Sequence, residues 1–246
     1  MVTLPVVMKM RTSSSNLPSM KFLLPLLILL FTFGTTVAQQ AGPVPPLKVI
    51  AFGDSITAGN MLPKDQRSQV WVNLVEQQSQ GKLQMVNEGK GGRLTNSLAE
   101  FKAMLARQPQ AGLLVIALGM NDSRDIKDDC VPHAVSHIQA MIELARAAYG
   151  KIPILLVGPT NIRKDALGPT RSLGDQREAK LQELGTAFAA LATQTGCDFV
   201  SLYGTVPEAS LTKDGVHPDV AGNQAIAGVI LPKLLSDAKS PAQPSP

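Results

Sequence analysis

From Leu47 onward, short apolar runs alternate with longer segments in which apolar residues recur every three or four positions. The runs "LKVIAFG" (47–53), "LQMVN" (83–87), "GLLVIALG" (112–119), "IPILLVG" (152–158) and "DFVSLY" (198–203) read as strands. Helical spacing predicts helices over 69–81, 94–108, 132–150, 175–196 and 218–238. The first of these repeats Val70, Leu74 and Val75, with Trp71 beside them, and the second carries Leu94, Leu98, Phe101 and Leu105 on one stripe. The third opens on Pro132 and closes on Gly150, and the last has Pro218 at its start, as helix ends prefer. Strands that are apolar throughout imply a sheet covered on both faces. The expected fold is therefore α/β: a flavodoxin-like three-layer sandwich around a five-stranded parallel sheet in the order 2-1-3-4-5.

The first 38 residues stand apart. Lys9, Arg11 and Lys21 are their only charges, Phe22 to Phe33 is almost wholly apolar, and Thr36 and Ala38 have the small-residue spacing of a signal-peptidase site. Residues 1–38 read as a secretory signal peptide, 39–46 as a stiff proline-rich linker, 47–238 as the folded domain and 239–246 as a polar tail expected to be disordered. The apolar run is shorter than the ~20 residues of a bilayer span, so no stable membrane anchor is expected. The protein is expected to be exported, to the periplasm or the medium, after cleavage near Ala38. Cleavage leaves 208 residues, enough for one domain with a full core. It also removes three positive charges and no negative one, so the formal net charge falls from +4 to +1. A near-neutral surface with few aromatic residues argues against nucleic acid as a partner. Export permits a disulfide between Cys130 and Cys197, but the element order sets them near opposite ends of the sheet, so no bond is expected.

In sheets of this kind the chemistry sits at the carboxyl ends of the strands, and four motifs fall there. Ser55, in "FGDSITAG", directly follows the first strand, where free helix-start amides favour negative charge; it is either a nucleophile or a helix cap. "NEGKGG" (87–92) follows the second strand, and Gly92 there can bring a bare N–H close to a substrate oxygen or simply make a tight turn. Asn121, in "LGMND", offers a side-chain amide after the third strand. Asp214 and His217, in "KDGVHPD", stand three residues apart after the fifth, close enough for the carboxylate to fix the imidazole tautomer. A serine, two amide donors and an Asp/His pair make a complete acyl-transfer set.

Taken in this order, "GDSITAG", "NEGKGG", "GMND" and "DGVHP" resemble the SGNH (GDSL) hydrolase superfamily, in its compact single-domain esterase or thioesterase-like form. The resemblance runs from about Leu47 to the last helix, and it departs at Ile56, where many members carry leucine. It implies that Ser55 is the nucleophile, that the amides of Ser55 and Gly92 and the side chain of Asn121 form the oxyanion hole, and that His217 is the general base oriented by Asp214. Asp54 belongs to the motif as a structural residue. The implied activity is hydrolysis of a small-molecule carboxylic ester, with acetyl or other short acyl groups expected, through an acyl-enzyme and without a cofactor. A broad thioesterase or lysophospholipase is the alternative, and a non-catalytic binding module on the same fold is a third reading.

Two other features pull elsewhere. Cys130, His133 and His137 have the C-x2-H-x3-H spacing of a zinc site, with Asp128 or Asp129 as a fourth ligand, although the same residues read as the polar first turns of the helix near Pro132. The segment 159–175 is long enough for a lid or pocket wall. Its Arg163, Lys164 and Arg171 either favour acidic substrates or form a solvated surface.

Overall fold

Leu47–Gly53 forms strand β1, in which Val49 and Ala51 point to one side and Ile50 and Phe52 to the other; all four are fully buried. That two-sided burial makes β1 the centre of the molecule. In the computed structural model, residues 45–237 are described. The signal peptide expected at 1–38, the linker up to residue 44 and the tail expected at 239–246 lie outside the described residues.

β1 pairs in parallel with β2 (Leu83–Gly89) on one side and with β3 (Leu113–Ala117) on the other. β4 (Ile154–Val157) and β5 (Asp198–Val200) complete a five-stranded parallel sheet in the order β2-β1-β3-β4-β5. Helices α2 (Trp71–Gln78) and α6 (Val220–Asp237) cover the face that carries Val49, Val115 and Val157. Helices α3 (Leu98–Arg107), α4 (Cys130–Tyr149) and α5 (Gly174–Thr195) cover the face that carries Phe52, Ile116 and Leu156. This is the three-layer sandwich expected from the apolar pattern. Trp71, Val72, Leu74 and Val75 are all buried because α2 lies between β2 and α6. The start of α2 is tied down from α6, where buried Asn223 accepts from the Trp71 amide at 3.0 Å.

Several boundaries differ from those the pattern suggests. α3 begins at Leu98 rather than Leu94, because Asp122 takes both the amide and the hydroxyl of Thr95 and holds the chain out of a helix there. Leu94 is consequently exposed, and Met104 joins Phe101 on the buried face, with Leu98 and Leu105 packed beside them. α4 begins two residues before Pro132, which sits in the first turn, where no amide partner is needed. β2 extends two residues past Asn87, to Gly89. A Cβ at Gly89 would stand 2.3 Å from the Ala58 amide nitrogen, so only glycine lets this strand end meet the short helix α1 (Ser55–Ala58). Both cysteines are free. No helix among the described residues is long and apolar enough to cross a membrane.

Candidate active site

The turn after β1 is built by Asp54 rather than Ser55. The Asp54 carboxylate, 3% exposed, accepts from the Ile56 amide at 2.9 Å and so caps α1. Burial pushes this carboxyl up, to about 7, against the pull of the Ile56 hydrogen bond. Ser55 is then the first residue of α1, and its hydroxyl is left for another partner. That partner is His217, whose Nε2 lies 2.8 Å from Ser55 Oγ across 162 residues of chain. His217 Nδ1 lies 2.6 Å from Asp214 Oδ2.

Asp214 is fixed before it meets the imidazole. Its Oδ1 accepts from the amides of Val216 (2.9 Å) and His217 (3.0 Å) and from Thr212 Oγ1 (2.9 Å). Burial works to raise this carboxyl, but the two amides and the His217 ring outweigh it and hold it at about 2. Asp214 is therefore ionised throughout the neutral range, and its charge favours Nδ1–H and leaves Nε2 as the acceptor facing Ser55.

Gly92 and Asn121 line one cleft, of about 580 Å³, and His217 and Asp214 line another, of about 340 Å³; Arg124 borders both. Gly92 takes φ +73°, a left-handed conformation that glycine adopts freely. Its amide and that of Ser55 have no hydrogen-bond partner among the described residues. Asn121, 5% exposed, donates one amide hydrogen to the Arg93 carbonyl at 3.1 Å, which ties it to the Gly92 loop and leaves the other uncommitted. The structure thus joins Ser55, His217 and Asp214 in one hydrogen-bonded chain. It links Asn121 to the Gly92 loop, with no hydrogen bond among the described residues from Asn121 or Gly92 to Ser55.

Some contributors are not apparent from the sequence. Arg93, 8% exposed, clamps the ends of β1 and β2: its guanidinium donates to the Gly53 carbonyl at 2.7 Å and to the Glu88 carbonyl, pairs with Glu100 at 3.1 Å, and stacks 3.9 Å from the centre of the Phe52 ring. Arg177 and Arg124 line the cleft beside His217. By contrast, Arg163 donates to the carbonyls of Glu208, Leu211 and Thr212, and Lys164 is paired with Asp175 and Glu178 at 2.8 Å. Neither borders either cleft. Cys130, His133 and His137 do not converge on one point. The thiol donates to the Asp122 carbonyl at 3.3 Å, His133 faces Asp129 at 3.7 Å on an exposed surface, and His137 Nδ1 lies 3.3 Å from Thr95 Oγ1. No group of three or more His, Cys, Asp or Glu among the described residues could hold a metal ion.

The buried Asp54 makes stability depend on pH in a definite direction. An unfolded aspartate ionises near pH 4, whereas folded Asp54 holds its proton to about 7. Its contribution is therefore full below pH 4, falls as pH rises through that window, and is constant above it. Asp54→Asn keeps an acceptor for the Ile56 amide and removes the titration. Urea unfolding from pH 4 to 8 is expected to show the variant gaining on the parent by a few kcal/mol, all of it between about pH 4 and 7.

Fold and site together define a carboxylic ester hydrolase of the three-layer α/β type. The profile of the GDSL-like lipase/acylhydrolase family matches residues 51–225, and the chain belongs to that family. Solved structures repeat the fold. A carbohydrate acetylesterase family member from Sinorhizobium meliloti shares 19% identity over 79% of this chain and 100% of its own, with a TM-score of 0.68. The aryl esterase of M. smegmatis shares 20% identity over 77% of this chain and 99% of its own, at 0.65. A catalytic mutant of an acetylxylan esterase from Geobacillus stearothermophilus shares 19% over 78% and 95%, at 0.60. No curated relative matches the chain.

Proposed function

We propose that the protein is an exported serine esterase that cleaves short acyl esters through Ser55, His217 and Asp214. The observation that carries this reading is the pair of short contacts at His217, 2.8 Å to Ser55 Oγ and 2.6 Å to Asp214 Oδ2. His217 Nε2 takes the Ser55 proton as Oγ attacks the ester carbonyl. The amides of Ser55 and Gly92 and the free hydrogen of Asn121 receive the charge that develops on the carbonyl oxygen. His217 returns the proton to the departing alcohol, and water then releases the acid by the same path. Asp214 supports the imidazolium without itself taking the proton.

Short acyl groups fit the cleft that Gly92 and Asn121 line, where Asp122, Asp125 and Lys127 form much of the wall; alkyl chains gain little by burial against such groups. The carbohydrate acetylesterase neighbour agrees with this size. On p-nitrophenyl acetate, butyrate and octanoate, kcat/KM is expected to fall by about tenfold or more from acetate to octanoate, a difference of about 1.4 kcal/mol or more. A rise toward octanoate would favour the lysophospholipase reading. Export is supported by the charge and apolar pattern of residues 1–38. N-terminal sequencing of protein recovered from the periplasm or medium is expected to begin at Gln39, and an intact N-terminus there would contradict cleavage.

A further inference from the structure

The cleft beside His217 has apolar walls at Leu167, Leu173 and Val216 and a basic side formed by Arg124 and Arg177. Arg177 comes from the first turn of α5 and is 6% exposed. Its Nε donates to Ser123 Oγ at 3.1 Å and its Nη2 to the Met120 carbonyl at 3.3 Å, both neutral acceptors. Nη1 makes no hydrogen bond among the described residues and is left for the cleft that the residue lines. No carboxylate among the described residues lies within ion-pairing distance of Arg177 or Arg124. Asp214 borders the same cleft, but its oxygens already serve Thr212, Val216 and His217.

A buried guanidinium with only neutral partners is costly, and a second arginine beside it adds like-charge repulsion. Burial first, and the Arg124 charge second, push the Arg177 guanidinium down to about 10. Both penalties are relieved by an anion. The first turn of α5, whose one acidic residue, Asp175, is paired with Lys164 at 2.8 Å, has no side-chain cap, and Leu173 and Arg177, which bracket it, both line the cleft. Position then sets which part of the substrate carries the charge. The departing oxygen must receive its proton from His217 Nε2, so the alcohol leaves along His217, into this cleft.

We propose that this cleft is an anion subsite, in which Arg124 and Arg177 bind a carboxylate or phosphate group carried by the alcohol portion of the ester. The subsite rests on the roles given above to Ser55 and His217. Guanidinium hydrogen bonds to such groups are charge-assisted, and Arg offers the planar fork that fits them.

The test compares 4-acetoxybenzoate with phenyl acetate, and 4-acetoxyphenyl phosphate beside them separates phosphate from carboxylate. The quantity read is the ratio of kcat/KM for the anionic ester to that for phenyl acetate. In Arg124→Gln and Arg177→Met this ratio is expected to fall by about ten- to a hundredfold, the range of one lost charged hydrogen bond. Arg124 is exposed, so its variant answers even if the Arg177 variant fails to fold. A ratio unchanged in Arg124→Gln, while phenyl acetate is still cleaved through Ser55, overturns the subsite and leaves the esterase reading intact. An arginine-dependent preference seen with 4-nitrophenyl hemiglutarate over the pentanoate, and absent with 4-acetoxybenzoate, overturns its placement on the alcohol side. Calorimetric titration with 4-hydroxybenzoate reads the subsite without turnover. Binding weakened about tenfold or more in Arg124→Gln supports the subsite even if Ser55 proves not to be the nucleophile, and binding equal in the two proteins counts against it.

Discussion

Ser55→Ala is expected to lower kcat/KM on p-nitrophenyl acetate by ~10⁴–10⁶-fold while the urea unfolding midpoint stays close to that of the parent. The two halves of this expectation come from different atoms. Ser55 Oγ has His217 Nε2 as its hydrogen-bond partner, so its removal takes away the attacking group and nothing that holds the turn together. The cap of α1 is the Asp54 carboxylate, which the substitution leaves in place. Were Ser55 only a helix cap, alanine would cost about 0.5–2 kcal/mol of stability and leave the rate alone. Rate and unfolding measured on the same two proteins separate these cases, since one moves the rate and the other the midpoint.

Asp214→Asn is expected to cost ~10⁴-fold in kcat with the backbone of the 212–217 loop unchanged. The loop is held through Oδ1, which accepts from Val216, His217 and Thr212, and asparagine retains an oxygen for that purpose. The amide nitrogen then stands where Oδ2 was, 2.6 Å from His217 Nδ1, and can only donate to it. Nδ1 must become the acceptor, the ring proton moves to Nε2, and the nitrogen facing Ser55 is no longer a base. A KM near that of the parent with kcat lost would fit this tautomer change. A loss confined to KM would assign Asp214 to substrate binding instead.

The strand order and the places of the candidate site residues are legible in the sequence for one reason: in a parallel sheet the chemistry sits in the loops that follow the strands, so local apolar runs locate those loops. Ser55, Gly92, Asn121, Asp214 and His217 all sit within six residues of such a run or in the loop leading from it to the next helix. What local pattern cannot carry is a contact between distant segments. The start of α3 is set by Asp122 gripping Thr95, 27 residues away, and nothing near Leu94 announces it. Arg177 lies in "DQREAK", at the start of the helix expected over 175–196, and its contacts with Met120 and Ser123 lie more than 50 residues away in the chain. Lys164 reads either as a cation for acidic substrates or as part of a solvated surface, and Asp175 and Glu178 take it as soon as α5 begins. The role of Ser55 is a fourth case, because both the cap and the nucleophile suit a serine after a strand; the contacts that bear on the choice are those of the Asp54 carboxylate and of His217, both set by the fold.

The most direct measurement is the site of acylation. The protein is incubated with p-nitrophenyl acetate, quenched in acid during the first turnovers, digested and mapped by mass spectrometry. A transient acetyl group on Ser55, absent from the Asp214→Asn protein over the same interval, is the predicted result. Rapid turnover with the acetyl group on another residue, or with Ser55 unmodified at every time point under saturating ester and burst-phase sampling, would contradict it.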